Sequence, residues 1–211
     1  MVRRTKEEAL ATRDGILDAA EQLFVEQGVS RTTLQHIATA AGVTRGAIYW
    51  HFEDKAALFN AMMERAKMPL ESAMQLLLET ASVSDPLCGM REYMLCVFRL
   101  TAHDPKARRV FEIATLKLEY VDELNAVRDR RLEIQAQWMT LAEGRIKLGV
   151  RQGKLKPGLV AHAAALGMWA LVDGLIRTWM FDTSAFDLVR LGEQIVDIHL
   201  DGLRAPPAMH G

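Results

Sequence analysis

The sequence predicts an all-α protein, and three observations carry that expectation. Gly, Pro and capping residues cut the 211 residues into helix-length pieces. Apolar residues inside those pieces recur at the three- and four-residue spacing of one buried helix face. No stretch alternates apolar and polar residues as a half-buried strand does. The composition agrees: half of the chain is hydrophobic and 25% is charged, enough for a buried core in one large domain or two small ones.

The first helix is expected from about Lys6 to Gln27, with Ile16, Leu17, Ala20, Leu23 and Phe24 on one face and Gly28 as its stop. A short helix fits Leu34 to Ala40, capped by Thr32 or Thr33. Gly42 breaks it, and Thr44 caps a second short helix from Arg45 to His51. Asp54 caps a longer piece reaching about Thr80, with a kink or a break at Pro69. Asp85-Pro86 and Asp104-Pro105 each pair an N-cap with a first-turn proline. A long helix fits Glu119 to Val150, and two apolar helices follow over about Leu159 to Phe181 and Phe186 to Leu203. The expected organisation is an N-terminal three-helix helix-turn-helix domain over residues 1–53. A larger helical bundle over 54–211 follows it.

Lys plus Arg number 26 and Asp plus Glu 27, a net charge of −1, so the surface as a whole is no polycation. Residues 1–55 are equally balanced, with seven cations against eight anions. Any nucleic-acid contact must therefore come from a few placed side chains. No apolar run is long enough to span a bilayer and the start carries no signal-peptide core, so a cytoplasmic protein with no membrane partner is expected. Cys88 and Cys96 lie two turns apart on one expected helix, about 12 Å, too far for a disulfide between them. The six histidines show no metal-ligand spacing, and no HExxH, CxxC, P-loop or GxSxG motif is present, so neither metal, cofactor nor catalytic site is expected.

The two short helices flanking Ala41-Gly42-Val43 fit a helix-turn-helix. Thr44, Arg45 and Gly46 open its second helix, where free N–H groups favour a phosphate. Arg45 has the planar donor fork that matches guanine O6 and N7. Gly46 and Ala47 leave room for close approach to DNA, and Tyr49, Trp50 and His51 bring polar tips for the phosphate backbone, joined by the charge of Lys55. The same residues also fit an ordinary small core: Ile48 and Phe52 are spaced i, i+4, and Tyr49 and Trp50 could pack in any helical protein.

Residues 32–58, TTLQHIATAAGVTRGAIYWHFEDKAAL, resemble the DNA-binding region of TetR-family repressors, whose pattern T-x-x-x-I-A-x-x-A-G-V-x-x-G-x-x-Y-x-H-F-x-x-K-x-x-L they match almost throughout. The run Arg45 to Phe52 looks most like that of multidrug efflux pump regulators. The resemblance implies that Thr33 and Thr44 cap helices and contact phosphate, and that Arg45 reads bases. It further implies that Tyr49, His51 and Lys55 hold the DNA backbone and that an arm of Arg3, Arg4 and Lys6 reaches a groove. It implies a homodimer on palindromic double-stranded operator DNA, joined through the last two helices. A lipophilic or aromatic small-molecule inducer would release it from an efflux operon, with the helix from Asp54 as lever and Pro69 as hinge.

The apolar stripes agree in part with a dimer. Met168, Leu171, Val172, Leu175, Ile176 and Trp179 form one, and Leu188, Leu191, Ile195 and Ile198 another; each serves intrachain core, and an excess needs a second partner. The expected ligand lining is Tyr93, Met94, Val97, Phe111, Thr115, Trp138, Trp169, Val172, Asp173 and Ile176, where aromatics give area and methionine adapts. Asp173 interrupts an apolar stripe and serves either a ligand or a salt bridge to Arg177 at i+4. The competing functional classes are a helical small-molecule-binding enzyme and an adaptor with no DNA role.

Overall fold

A computed structural model describes residues 6–65, 85–119 and 122–206 of the chain, all helices and their connections. Arg3, Arg4 and Pro69 lie outside these. The described chain divides into two compact units, one of Met1–Lys67 with Lys106–Leu132, the other of Met68–Pro105 with Glu133–Gly211. This division by contacts differs from the one expected at residue 53, because a segment beyond residue 105 completes the first unit.

In the first unit α1 (Lys6–Gln27) buries Ile16, Leu17, Ala20 and Phe24. Gly28, at φ +83°, turns the chain out of it, a backbone conformation that costs glycine little. α2 (Leu34–Ala40) and α3 (Arg45–His51) span seven residues each. Helices of two turns are not stable alone. They hold here because both are capped and both give apolar residues (Ile37 and Ala38, then Ile48) to one core. Gly42, at φ +65°, makes the turn between them.

α4 covers residues 55–65, and Asp54 caps it by accepting the Ala57 N–H at 2.7 Å. From α6 (Pro105–Glu112) the helix widens into a π-turn (Ile113–Lys117), and a 3₁₀ turn (Asp122–Leu124) precedes α7. Val110, Ile113, Leu124 and Val127 pack into the same core as Ile16, Phe24, Ile37, Ile48 and Phe59. Glu21 is buried on α1, and burial pushes its carboxyl above the usual range despite Arg65, Arg109 and Lys106 nearby.

The second unit contains α5 (Cys88–His103), most of α7 (Asn125–Arg151), α8 (Ala161–Phe181) and α9 (Leu188–Leu203). α5 packs on α8 and α9, which pack on each other. Gly192 of α9 allows the close approach to α5: a Cβ there would stand 2.7 Å from the Phe98 ring. Arg91 staples the same pair, donating to both carboxylate oxygens of Asp197 at 2.6 and 2.9 Å and to Glu193 at 2.7 Å. That hydrogen bonding holds the Asp197 carboxyl below its ordinary value.

Two helix starts differ from the sequence expectation. α5 begins at Cys88 rather than at Pro86, because the Asp85 carboxylate is spent on the Leu87 N–H at 2.9 Å and on Arg204 at 2.9 Å, which closes a turn ahead of the helix. α7 begins at Asn125 rather than Glu119, after the 3₁₀ turn. Among the described residues no helix is long and apolar enough to cross a membrane, and no group of His, Cys, Asp or Glu could hold a metal ion.

Candidate functional site

The helix-turn-helix is built from both ends by its caps. Thr33 Oγ1 accepts the His36 N–H at 3.2 Å, and His36 Nδ1 accepts the Thr33 N–H at 3.5 Å, closing a capping box. A histidine in the place usual for Glu or Gln must present an unprotonated Nδ1 to do so. Thr44 Oγ1 accepts the Ala47 N–H at 3.2 Å and fixes the start of α3. Of the two candidates for the α2 cap, Thr33 therefore fills the position, while Thr32 turns inward and donates to the Gly28 carbonyl at 2.7 Å.

α3 buries one side and offers the other. Ile48 and, just past the helix, Phe52 enter the core, whereas Tyr49 is 46% and Trp50 73% exposed. Neither ring adds to the core that Ile48 and Phe52 already enter. Arg45 lies beside them with its guanidinium 5.6 Å from the Tyr49 ring centroid. Trp50 and His51 meet edge to face at 4.6 Å. Gly46 is exposed, and a Cβ there would meet only the Thr44 hydroxyl, at 4.0 Å. Thr44, Arg45, Gly46, Tyr49 and Trp50 thus share an exposed surface, and Ala47 and His51 are half-buried beside it. Lys6 is exposed at the first residue of α1.

Lys55, which the resemblance leads one to expect on the DNA backbone, faces the interior of the unit. Its ammonium is turned inward, donating to the carbonyls of Val29 at 3.0 Å and Thr32 at 3.1 Å, with Glu123 Oε1 at 2.5 Å. Glu123 stands 68 residues away in sequence, so no local pattern could reveal it. Two further side chains shape this region. His36 completes the α2 cap, and Thr33-x-x-His36 was the available signal. Arg13 of α1 sits 5.2 Å over the Phe52 ring.

The residues expected to line a ligand site fall in both units. Phe111 on α6 and Thr115 on the π-turn belong to the first. Tyr93, Met94 and Val97 on α5, Trp138 on α7, and Trp169, Val172, Asp173 and Ile176 on α8 belong to the second. Within the second unit Trp138 and Trp169 are brought together, their ring centroids 5.7 Å apart and tilted. Met94, Val97, Trp138 and Ile176 are buried, and Tyr93, Trp169, Val172 and Asp173 are half-buried. Burial pushes the Tyr93 hydroxyl up to about 12, so it stays a neutral donor.

Residues 16–62 match the bacterial regulatory proteins of the tetR family, and residues 85–205 match the C-terminal region of MAATS-type transcriptional repressors. The chain belongs to the TetR family of transcriptional repressors. Among its relatives, the transcriptional regulator TtgR of Pseudomonas putida is 42% identical over 212 residues, covering 99% of this chain and 99% of its own. Of solved structures, NalD, the secondary repressor of the MexAB-OprM multidrug efflux pump in Pseudomonas aeruginosa, superposes with a TM-score of 0.86. It is 36% identical over 94% of this chain and 98% of that one. SmeT, the repressor of the Stenotrophomonas maltophilia pump SmeDEF, has been solved with triclosan. That complex superposes at 0.79 with 30% identity, over 94% and 93% of the two chains. This TetR-family repressor is thus a DNA-binding regulator of transcription and not an enzyme. Its all-helical build, head first and helical domain second, is the family's.

Proposed function

We propose that this repressor binds a palindromic operator as a homodimer, with α3 of each head in the major groove, and leaves it when a lipophilic or aromatic compound binds the helical domain. The exposed face of α3 carries the reading: Arg45, Tyr49 and Trp50 stand outward on a helix whose start is locked by Thr44. Arg45 reads a guanine edge, Thr33, Thr44, Tyr49, Trp50 and His51 hold phosphates, and Gly46 and Ala47 admit the backbone closely. Lys6, with Arg3 and Arg4 ahead of it, supplies the arm.

Dimerisation through α8 and α9 is supported by Leu166, Phe181 and Ile198, large apolar side chains left exposed on those two helices. Two heads one helical turn apart, about 34 Å, give a palindrome the affinity that one head lacks. The ligand reading is supported by the paired Trp138 and Trp169, by Met94, and by the triclosan complex of the SmeT relative. Tyr93 and Asp173 would give such a site its polar contacts. The relatives named for efflux pumps support a pump operon as the target and the bacterial cytoplasm as the place of action.

Inducer and operator bind the same molecule in different arrangements, so each weakens the other equally. A coupling of about 1–3 kcal/mol changes affinity about 5–150-fold. The test is selection of duplexes from a random pool, followed by anisotropy titrations with and without triclosan. Selected duplexes should show inverted half-sites, and triclosan should lower their affinity while the duplex lowers that of triclosan by the same factor. A pool with no preferred sequence, or a triclosan affinity indifferent to DNA, overturns the proposal.

A further inference from the structure

We infer that Lys55 is a positioning residue for DNA reading and not a phosphate ligand: its ammonium locks the turn that sets α2 against α1. Lys55 opens α4 and is 7% exposed. An ammonium has three N–H donors. Three acceptors surround this one: the Val29 and Thr32 carbonyls at 3.0 and 3.1 Å and the Glu123 carboxylate at 2.5 Å. No donor is left for a phosphate, and Glu123 neutralises the charge that a phosphate would feel.

The two carbonyls bracket the chain between α1 and α2. Val29 is fully buried, and its N–H donates to the Lys117 carbonyl at the end of the π-turn at 3.2 Å. The hydroxyl of Thr32 returns to Gly28 at 2.7 Å. Thr33, the next residue, caps α2. Moving the ammonium would take its donor from the Thr32 carbonyl, leave the Val29 carbonyl with only the Thr32 N–H at 3.2 Å, and loosen the turn that places Thr33, and with it α2 and the α3 packed on it.

The assignment deepens the proposed DNA face and rests on it, so its test has one arm without DNA and one with it. In the first, the wild-type protein is acetylated with an N-hydroxysuccinimide ester and its lysines followed by mass spectrometry. Lys55 should react about tenfold more slowly than exposed Lys6, a difference set by access to the amine. Rapid acetylation of Lys55 that a bound duplex then blocks would overturn the assignment, and the free-protein rate decides even where no duplex binds.

In the second arm, K55M and K55R are titrated with the duplex selected by the wild type and with an unrelated duplex of equal length. Potassium chloride is varied, and each titration is run well below the variant's melting temperature. Both variants should lose about tenfold for the selected duplex and less for the unrelated one, since a planar guanidinium cannot fill a seat made for an ammonium. The slope of log K against log salt should stay at the wild-type value. A lysine on a phosphate in each head would instead lower the K55M slope by about 1.8, near 0.9 per contact, and K55R would bind as the wild type does. Either result, or an unchanged preference between the two duplexes in folded variants, overturns the assignment. A variant that fails to fold leaves the decision to the acetylation rates.

Discussion

The two units stabilise their helices by different means. In the first, α2 and α3 have seven residues each, and both are held by a threonine cap with a glycine between them in the left-handed region. In the second, α5 and α8 run for 16 and 21 residues and begin without any side-chain cap, although Asp187 caps α9. A short helix has too few hydrogen bonds to repay its nucleation, so local residue choice must fix where it starts and stops. A long apolar helix is held by what it packs against, so many sequences serve equally well. The head therefore carries a narrow pattern of residues, whereas the bundle carries little more than its periodicity.

This contrast predicts that function and stability separate between the units. The largest effect is expected at Arg45. Arg45→Ala should cost about 1–3 kcal/mol of base discrimination in each head, roughly thirtyfold or more over the two, and relax sequence preference at one position in each half-site. Its melting temperature should match the wild type, because Arg45 is exposed and contributes nothing to the core. Anisotropy on matched and mismatched duplexes together with a thermal melt checks both halves.

Gly192→Ala should do the reverse. Its Cβ would press into the Phe98 ring, which is fully buried and cannot swing away, so a loss of about 1–3 kcal/mol of stability is expected. The folded fraction should keep its duplex preference. Denaturant unfolding measures the loss, and a preference altered in the folded protein would break the separation.

The smallest effect is expected at Glu21, and it depends on pH. The folded protein favours the protonated carboxyl, so the charged form present at neutral pH costs stability. Glu21→Gln removes that cost. Its melting temperature should exceed the wild type at pH 7, and the gain should fade as pH falls through the raised folded value and be gone by about 4, where Glu21 is protonated folded or unfolded. A gain that persists in acid would assign the effect to packing.

The legibility of the sequence follows the same contrast. The caps at Thr33, Thr44 and Asp54 and the stops at Gly28 and Gly42 act within four residues, and each was visible in the residue order. At Asp85 the same local logic misled, because Arg204, from the far end of the chain, competes for the carboxylate that would have capped α5. The surroundings of Lys55 were hidden for the same reason: its partners at Val29, Thr32 and Glu123 are distant in sequence, while its neighbours suggest an exposed charge. Tyr93 to Ile176 could be placed on helices by periodicity, but Phe111 and Thr115 ride on a segment assigned by contacts to the head's unit, which periodicity does not reveal.

That segment bears on how such regulators can be recombined. Val110, Ile113, Leu124 and Val127 fill the core beneath the head's helices, and Lys117 and Glu123 tie off the loop after α1. The head is therefore not a detachable module ending at residue 65. A chimera grafting these operator-reading helices onto another sensor must carry residues 106–132 with them, or supply a matching replacement, before the transplanted part can hold its shape.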